Sequence, residues 1–251
     1  MPLTSSGRRR ATAELVGTAL LLAIVVGSGI MGERLAGGNA GLALLANALA
    51  TGGGLVALLL AFGPISGAHL NPAVTLCEAA LGGLRWREVP SYLAAQLAGA
   101  FAGVALGNGM FGEPLWQASR HARAGGRQLV SEFVATFGLV AVIQGVARSR
   151  AGAVPFAVAA YITAAYWFTP STSFANPAVT LARAATDTFS GIRPADAPGF
   201  VVAQLCGAAA AASLLRWLTA PRPQLAAPRP LAASRPQLAV DAPLPRDPEQ
   251  T

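Results

Sequence analysis

Asn71-Pro72-Ala73-Val74-Thr75-Leu76 and Asn176-Pro177-Ala178-Val179-Thr180-Leu181 are the same six residues, written twice in one chain. Asparagine is a good helix cap. Proline suits the first helical position, because the N–H it lacks would be unpaired there anyway. Each hexamer therefore predicts a helix start. Each is followed by an apolar stretch, Ala73 to Leu81 and Ala178 to Ala185, far shorter than the roughly 20 residues that cross a bilayer.

The surroundings repeat as well. Glu14-Leu15-Val16-Gly17-Thr18 matches Glu132-Phe133-Val134-Ala135-Thr136, and Ala95-Gln96-Leu97-Ala98-Gly99-Ala100 matches Ala203-Gln204-Leu205-Cys206-Gly207-Ala208. Six apolar stretches are long enough to span, approximately Ala11 to Met31, Leu42 to Phe62, Val89 to Phe111, Gln128 to Ala147, Gly152 to Thr169 and Ala197 to Leu218. Residues 11–111 and 128–218 then read as two copies of a three-span unit. An odd number of spans per copy forces the second to insert upside down, with the functional site where the halves meet. The expected fold class is an all-α membrane protein: six transmembrane helices plus two re-entrant half-helices, about 71–81 and 176–186. Irregular backbone at that depth is tolerated only where protein buries it or it lines a wet cavity.

Composition agrees. Of 251 residues, 53% are hydrophobic and 12% charged, about half the charge of a soluble domain. The formal charge of +7 is carried by arginine, with no lysine. These arginines stand at segment ends and in tails without interleaved aromatics, so no nucleic-acid partner is expected. Their excess on one side predicts cytoplasmic termini: residues 1–10 and 219–251 inside, with 112–127 as an extracellular linker. The Pro/Ala/Arg-rich tail reads as disordered. The first stretch follows Arg8-Arg9-Arg10, is too long for a leader core and carries Glu14, so no cleavable leader is expected. Trp86, Trp116, Trp167 and Trp217 fall near span ends, as amphipathic rings do. Cys77 and Cys206 read as small packed hydrophobes, and no metal or cofactor is expected.

Ser66-Gly67-Ala68-His69-Leu70-Asn71-Pro72-Ala73-Val74-Thr75 and Phe174-Ala175-Asn176-Pro177-Ala178, with Glu14 and Glu132, resemble the aquaporin or major intrinsic protein family over nearly the whole chain apart from the tail. The resemblance implies a passive channel for small neutral solutes, a homotetramer with one pore per subunit, and pore motifs at Asn71, Pro72, Ala73, Asn176, Pro177 and Ala178. The family's constriction falls here on Thr51, Ala164, Ser173 and Val179, where most members carry an aromatic at the first position and an arginine at the last. Four small residues predict a wide, uncharged constriction. That pattern is similar to a bacterial subgroup linked to arsenic resistance, which implies passage of glycerol-like polyols and trivalent arsenicals such as arsenite or methylarsenite. It also implies a bacterial inner (plasma) membrane location. A water-selective pore is the alternative.

Plainer roles suit the remaining polar residues. Glu14 and Glu132, symmetric and intramembrane, are expected to accept hydrogen bonds from the buried loop backbone rather than relay protons. Gln96, Gln204 and His69 are expected to support the same loops, and Thr75 and Thr180 to cap or pack. Gly99, Gly103 and Gly107 predict close helix packing, within or between subunits. A coupled transporter would share the inverted repeat but needs further intramembrane charges. An enzyme would need a nucleophile–base pair, metal cluster or phosphate loop, and none is written. A structural junction protein would not need the duplicated pore motif.

Overall fold

The computed structural model describes residues 5–219 of the protein; the expected disordered tail lies almost entirely outside them. The described residues form eight α-helices and no strand: α1 (Ser5–Leu35), α2 (Ala40–Ser66), α3 (Pro72–Leu81), α4 (Val89–Met110), α5 (Gly126–Arg150), α6 (Val154–Phe168), α7 (Pro177–Arg183) and α8 (Ala197–Leu218). The chain punctuates them locally. Asn39 caps α2, its side chain accepting from the Leu42 N–H at 3.1 Å. Proline opens α3, α4, α6, α7 and α8, where it costs no hydrogen bond. Gly67 and Gly82, both at φ 88°, end α2 and α3 in the left-handed conformation that glycine adopts without strain.

Several boundaries differ from the sequence reading. α1 starts at Ser5, so Arg8, Arg9 and Arg10 lie in its first turns. α7 stops at Arg183, short of residue 186, with Ala184 as its cap. Residues 126–168 form one apolar stretch of 43 residues by length and hydropathy. It nevertheless contains two spans, because a short 3-10 turn at Ala151–Ala153 breaks it and α6 folds back on α5. Tyr161 Oη donates to the Val134 carbonyl at 3.3 Å across that pair.

α1 packs most closely on α4 and α5 on α8, and glycine sets both contacts. A Cβ on Gly99 or Gly103 would strike the carbonyls of Leu15 or Ala19 on α1, and one on Gly207 would strike that of Phe133 on α5. The small-residue steps on α4 thus close a contact inside this chain. The outer surface is apolar: Leu49 is 58% exposed and Val202 61%, as lipid-facing side chains are. All four tryptophans are exposed. Cys77 is buried, but Cys206 is exposed on α8, which corrects the packed-interior reading for that residue. Period 3.6 turns it outward while Gln204 and Gly207 face in.

Candidate functional site

The two Asn-Pro-Ala loops meet. Asn71 Oδ1 accepts from the N–H of Ala73 at 2.9 Å, and Asn176 Oδ1 from those of Ala178 at 3.0 Å and Val179 at 3.3 Å. Each asparagine thereby caps its own half-helix. Each amide nitrogen then reaches across: Asn71 Nδ2 donates to the Ala175 carbonyl and Asn176 Nδ2 to the Leu70 carbonyl, both at 2.8 Å. An amide carries two N–H donors. One is spent on the opposite loop, and one is left on each side to face a passing oxygen.

The backbone before each asparagine is unusual. Ala68 and Leu70 in one loop, and Ser173 and Ala175 in the other, have φ between 45° and 50°, a region that costs non-glycine residues free energy. The buried glutamates hold it there. Glu14 accepts from the backbone N–H of His69 at 2.9 Å and Leu70 at 2.7 Å, from Ser66 Oγ at 2.6 Å and from Gln96 Nε2 at 2.8 Å. Glu132 accepts from the N–H of Phe174 and Ala175, both at 2.9 Å, and from Gln204 Nε2 at 2.6 Å. Gln96 and Gln204 also donate to Thr75 Oγ1 and Thr180 Oγ1. Those hydroxyls donate in turn to the carbonyls of Asn71 and Asn176. His69 belongs to the same scaffold, its Nδ1 3.1 Å from Thr75 Oγ1.

A cavity of about 690 Å³ has both Asn71 and Asn176 in its wall. Along α1 its wall includes Arg10, Leu21 and Val25, about 22 Å of helix at 1.5 Å per residue. Apolar side chains dominate elsewhere, including Val74, Val158, Ile162 and Val179. Pro72, Ala73, Pro177 and Ala178 are buried at the helix starts; they shape the loops and do not line the cavity.

Of the four expected constriction residues, Thr51, Ser173 and Val179 line the cavity and Ala164 does not. Ala164 is exposed on the outer face of α6. The inner face carries Val158, Ile162 and Tyr166, spaced by four, and a residue two positions from both of the last is turned away by about 200°. Tyr166 stands across from Thr51, with its Oη 3.3 Å from Thr51 Oγ1. Two larger residues join the small ones on that wall: the Tyr166 phenol enters from α6, and Arg183, a residue only 2% exposed, lines the same cavity. A spacing of four from Val179 could have pointed to Arg183.

The segment 112–125 covers the end of α7. The N–H groups of Gln117 and Ser119 donate to the carbonyls of Ala185 and Ala184, both at 3.0 Å. Arg120 donates to Asp187 through its backbone N–H at 2.8 Å and its Nε at 2.7 Å. Those two bonds, the backbone one foremost, hold the Asp187 carboxyl below the usual carboxylate range.

The chain matches the protein family described as Major intrinsic protein over residues 3–160 and 148–241. It is 56% identical over 213 residues to aquaglyceroporin AqpS of Rhizobium meliloti (strain 1021), covering 85% of this chain and 91% of that one. It is 43% identical over 100 residues to probable aquaporin NIP7-1 of Arabidopsis thaliana, covering 40% and 35%. The X-ray structure of the aquaglyceroporin from Plasmodium falciparum superposes with a TM-score of 0.66 at 21% identity, over 83% of this chain and 95% of that chain. That last likeness speaks for the fold.

Proposed function

The chain belongs to the major intrinsic protein family, whose members are membrane channels and not enzymes, and from that premise we propose that it is a passive pore for small neutral solutes of the glycerol class. The reading rests foremost on one observation: a long cavity with mostly apolar walls has a capping asparagine from each half in its lining. A solute with hydroxyl groups loses water on entry and regains donors from Asn71 and Asn176. Its carbon side meets Val74, Val158 and Ile162. Pore width and lining donors set selectivity in such conduits.

Trivalent arsenicals, as the neutral hydroxide or its methylated form, belong to the same size and hydrogen-bonding class. Val179 and Thr51, both small, leave room for them. Water passes less readily, because the apolar wall offers it few replacement hydrogen bonds. We further propose a homotetramer in the bacterial inner membrane with both termini in the cytoplasm, supported by the arginine distribution and by the apolar outer surface.

The test is flux in proteoliposomes with glycerol, arsenite, methylarsenite and water, with and without ion gradients. Solute flux that is non-saturating and gradient-independent, with arsenite and glycerol ahead of water, is expected. Saturable flux that needs an ion gradient would make the protein a coupled transporter. Water flux without glycerol flux would make it a strict water pore.

A further inference from the structure

The two halves place a charge at one shared register. Seven residues after Asn71 stands Glu78, and seven after Asn176 stands Arg183. Both line the cavity, one helical turn beyond Val74 and Val179 respectively. Glu78 accepts from the Gln144 side-chain amide. Arg183 has no such partner side chain: no carboxylate among the described residues lies within ion-pair distance of it. Its Nε donates to the Ser190 carbonyl, and its guanidinium lies over the Phe174 ring, 3.4 Å from the centroid.

A guanidinium has five N–H donors in a fixed fork. One is spent on Ser190, and no other hydrogen bond of this side chain is formed within the described residues. A buried cation without an ion partner is costly unless something solvates it. The surface it shares with the cavity is where water or a solute reaches it. A second polar residue lines the same cavity: Ser173, whose Oγ is buried and has no hydrogen-bond partner. The phenol of Tyr166, 3.3 Å from the hydroxyl of Thr51, lines it as well.

We infer that Arg183 is the specificity-determining residue of this mouth: its fixed charge repels cations, and its unspent donors, with Ser173 Oγ, receive the oxygens of a neutral polyhydroxylated solute. The inference rests on the channel reading above for the solute and on geometry alone for the charge. Val179 then does not leave this end of the pore without a cation; the cation is supplied one turn further along the same half-helix.

The full chain and the variants Arg183→Lys, Arg183→Gln and Val179→Arg/Arg183→Gln are reconstituted in liposomes. Potassium leak is read with a potential-sensitive dye, and the activation energy of glycerol permeation by light scattering. In Arg183→Gln the leak rises by on the order of tenfold and the glycerol activation energy increases. Arg183→Lys keeps cation exclusion, and the double variant recovers it. A monodisperse Arg183→Gln protein with parental leak and parental glycerol kinetics overturns the inference. Should the Gln variant not assemble, the parent decides: 2,3-butanedione, a small neutral reagent for guanidinium groups, is expected to modify Arg183 by peptide mass, slow glycerol flux and be held off by excess glycerol. An active parent whose Arg183 stays unmodified also overturns it. A parent impermeable to glycerol sinks the solute reading of the preceding section, while the potassium readout still judges Arg183.

Discussion

In the first half Glu14 takes the backbone N–H groups of His69 and Leu70; in the second Glu132 takes those of Phe174 and Ala175. Gln96 and Thr75 stand to Glu14 as Gln204 and Thr180 stand to Glu132. The side chains facing the conduit and its neighbours do not follow this symmetry. His69 is answered by Phe174, and Glu78 by Arg183. The ring of His69 lies 5.1 Å from Tyr92, whereas Phe174 sits 5.4 Å edge-on from Phe200. A loop held at membrane depth has no water to bond, so its backbone must be satisfied the same way wherever it occurs. The two mouths face different surroundings, and nothing requires them to match.

The largest effect tests the shared scaffold. Glu14→Leu and Glu132→Leu each orphan two buried backbone N–H groups, at about 1–3 kcal/mol apiece. Both variants are expected to lose the folded channel, read as loss of a monodisperse species in detergent. Glu14→Leu also strands Ser66 Oγ and should be the worse of the two. The Gln variants keep an acceptor and should fold and conduct; a folded Glu14→Gln protein without flux would instead give the carboxylate a proton-coupling role.

Next in size is the helix contact. Gly99→Ala and Gly207→Ala put a methyl group against the Leu15 and Phe133 carbonyls at equivalent places. Each should cost about 1–3 kcal/mol, with matching drops in melting temperature. Unequal drops would show that the halves are not equally rigid.

The third prediction concerns a divergent mouth. Val179→Arg adds a further guanidinium to the end that already holds Arg183 and Arg123 around Phe174, and fills space in the cavity wall. Flux of glycerol-sized solutes should fall on the order of tenfold, equivalent to ~1.4 kcal/mol of added barrier, and further with Thr51→Phe. Water flux should survive. Equal solute flux in parent and double variant would place selectivity elsewhere along the cavity.

The smallest effect is confined to the second half, where Gly82 stands at the position equivalent to Asp187. The Asp187 carboxyl is held below its ordinary range by Arg120. Its contribution is therefore present above the ordinary carboxylate range, around pH 4, and is lost as pH falls through its lowered folded value. The melting temperature of Asp187→Asn should lie below that of the parent at neutral pH, and the gap should close in acid. No gap at neutral pH would assign the clasp to the backbone bonds of Gln117 and Ser119 alone.

The hexamers, the glutamates and the glutamines were legible because their meaning is local or repeated. A cap is written in two or three adjacent residues, and a duplicated motif announces its own symmetry. The register of α6 was not legible. That helix is apolar all round, so the sequence carries no stripe to say which side faces the pore, and the expectation fell on Ala164 instead of Ile162 and Tyr166. Arg183 read only as one of the arginines at segment ends. It is buried because the distant segment 112–125 lies over the end of α7.

Sequence alone determined the six spans, the two half-helices, their inversion and the asparagines at their starts, since bilayer thickness and backbone hydrogen bonding leave few other ways to place such residues. Tertiary structure alone decided which side chains face the conduit. That choice depends on how helices far apart in sequence rotate against one another, and packing fixes the rotation only when all of them are in place.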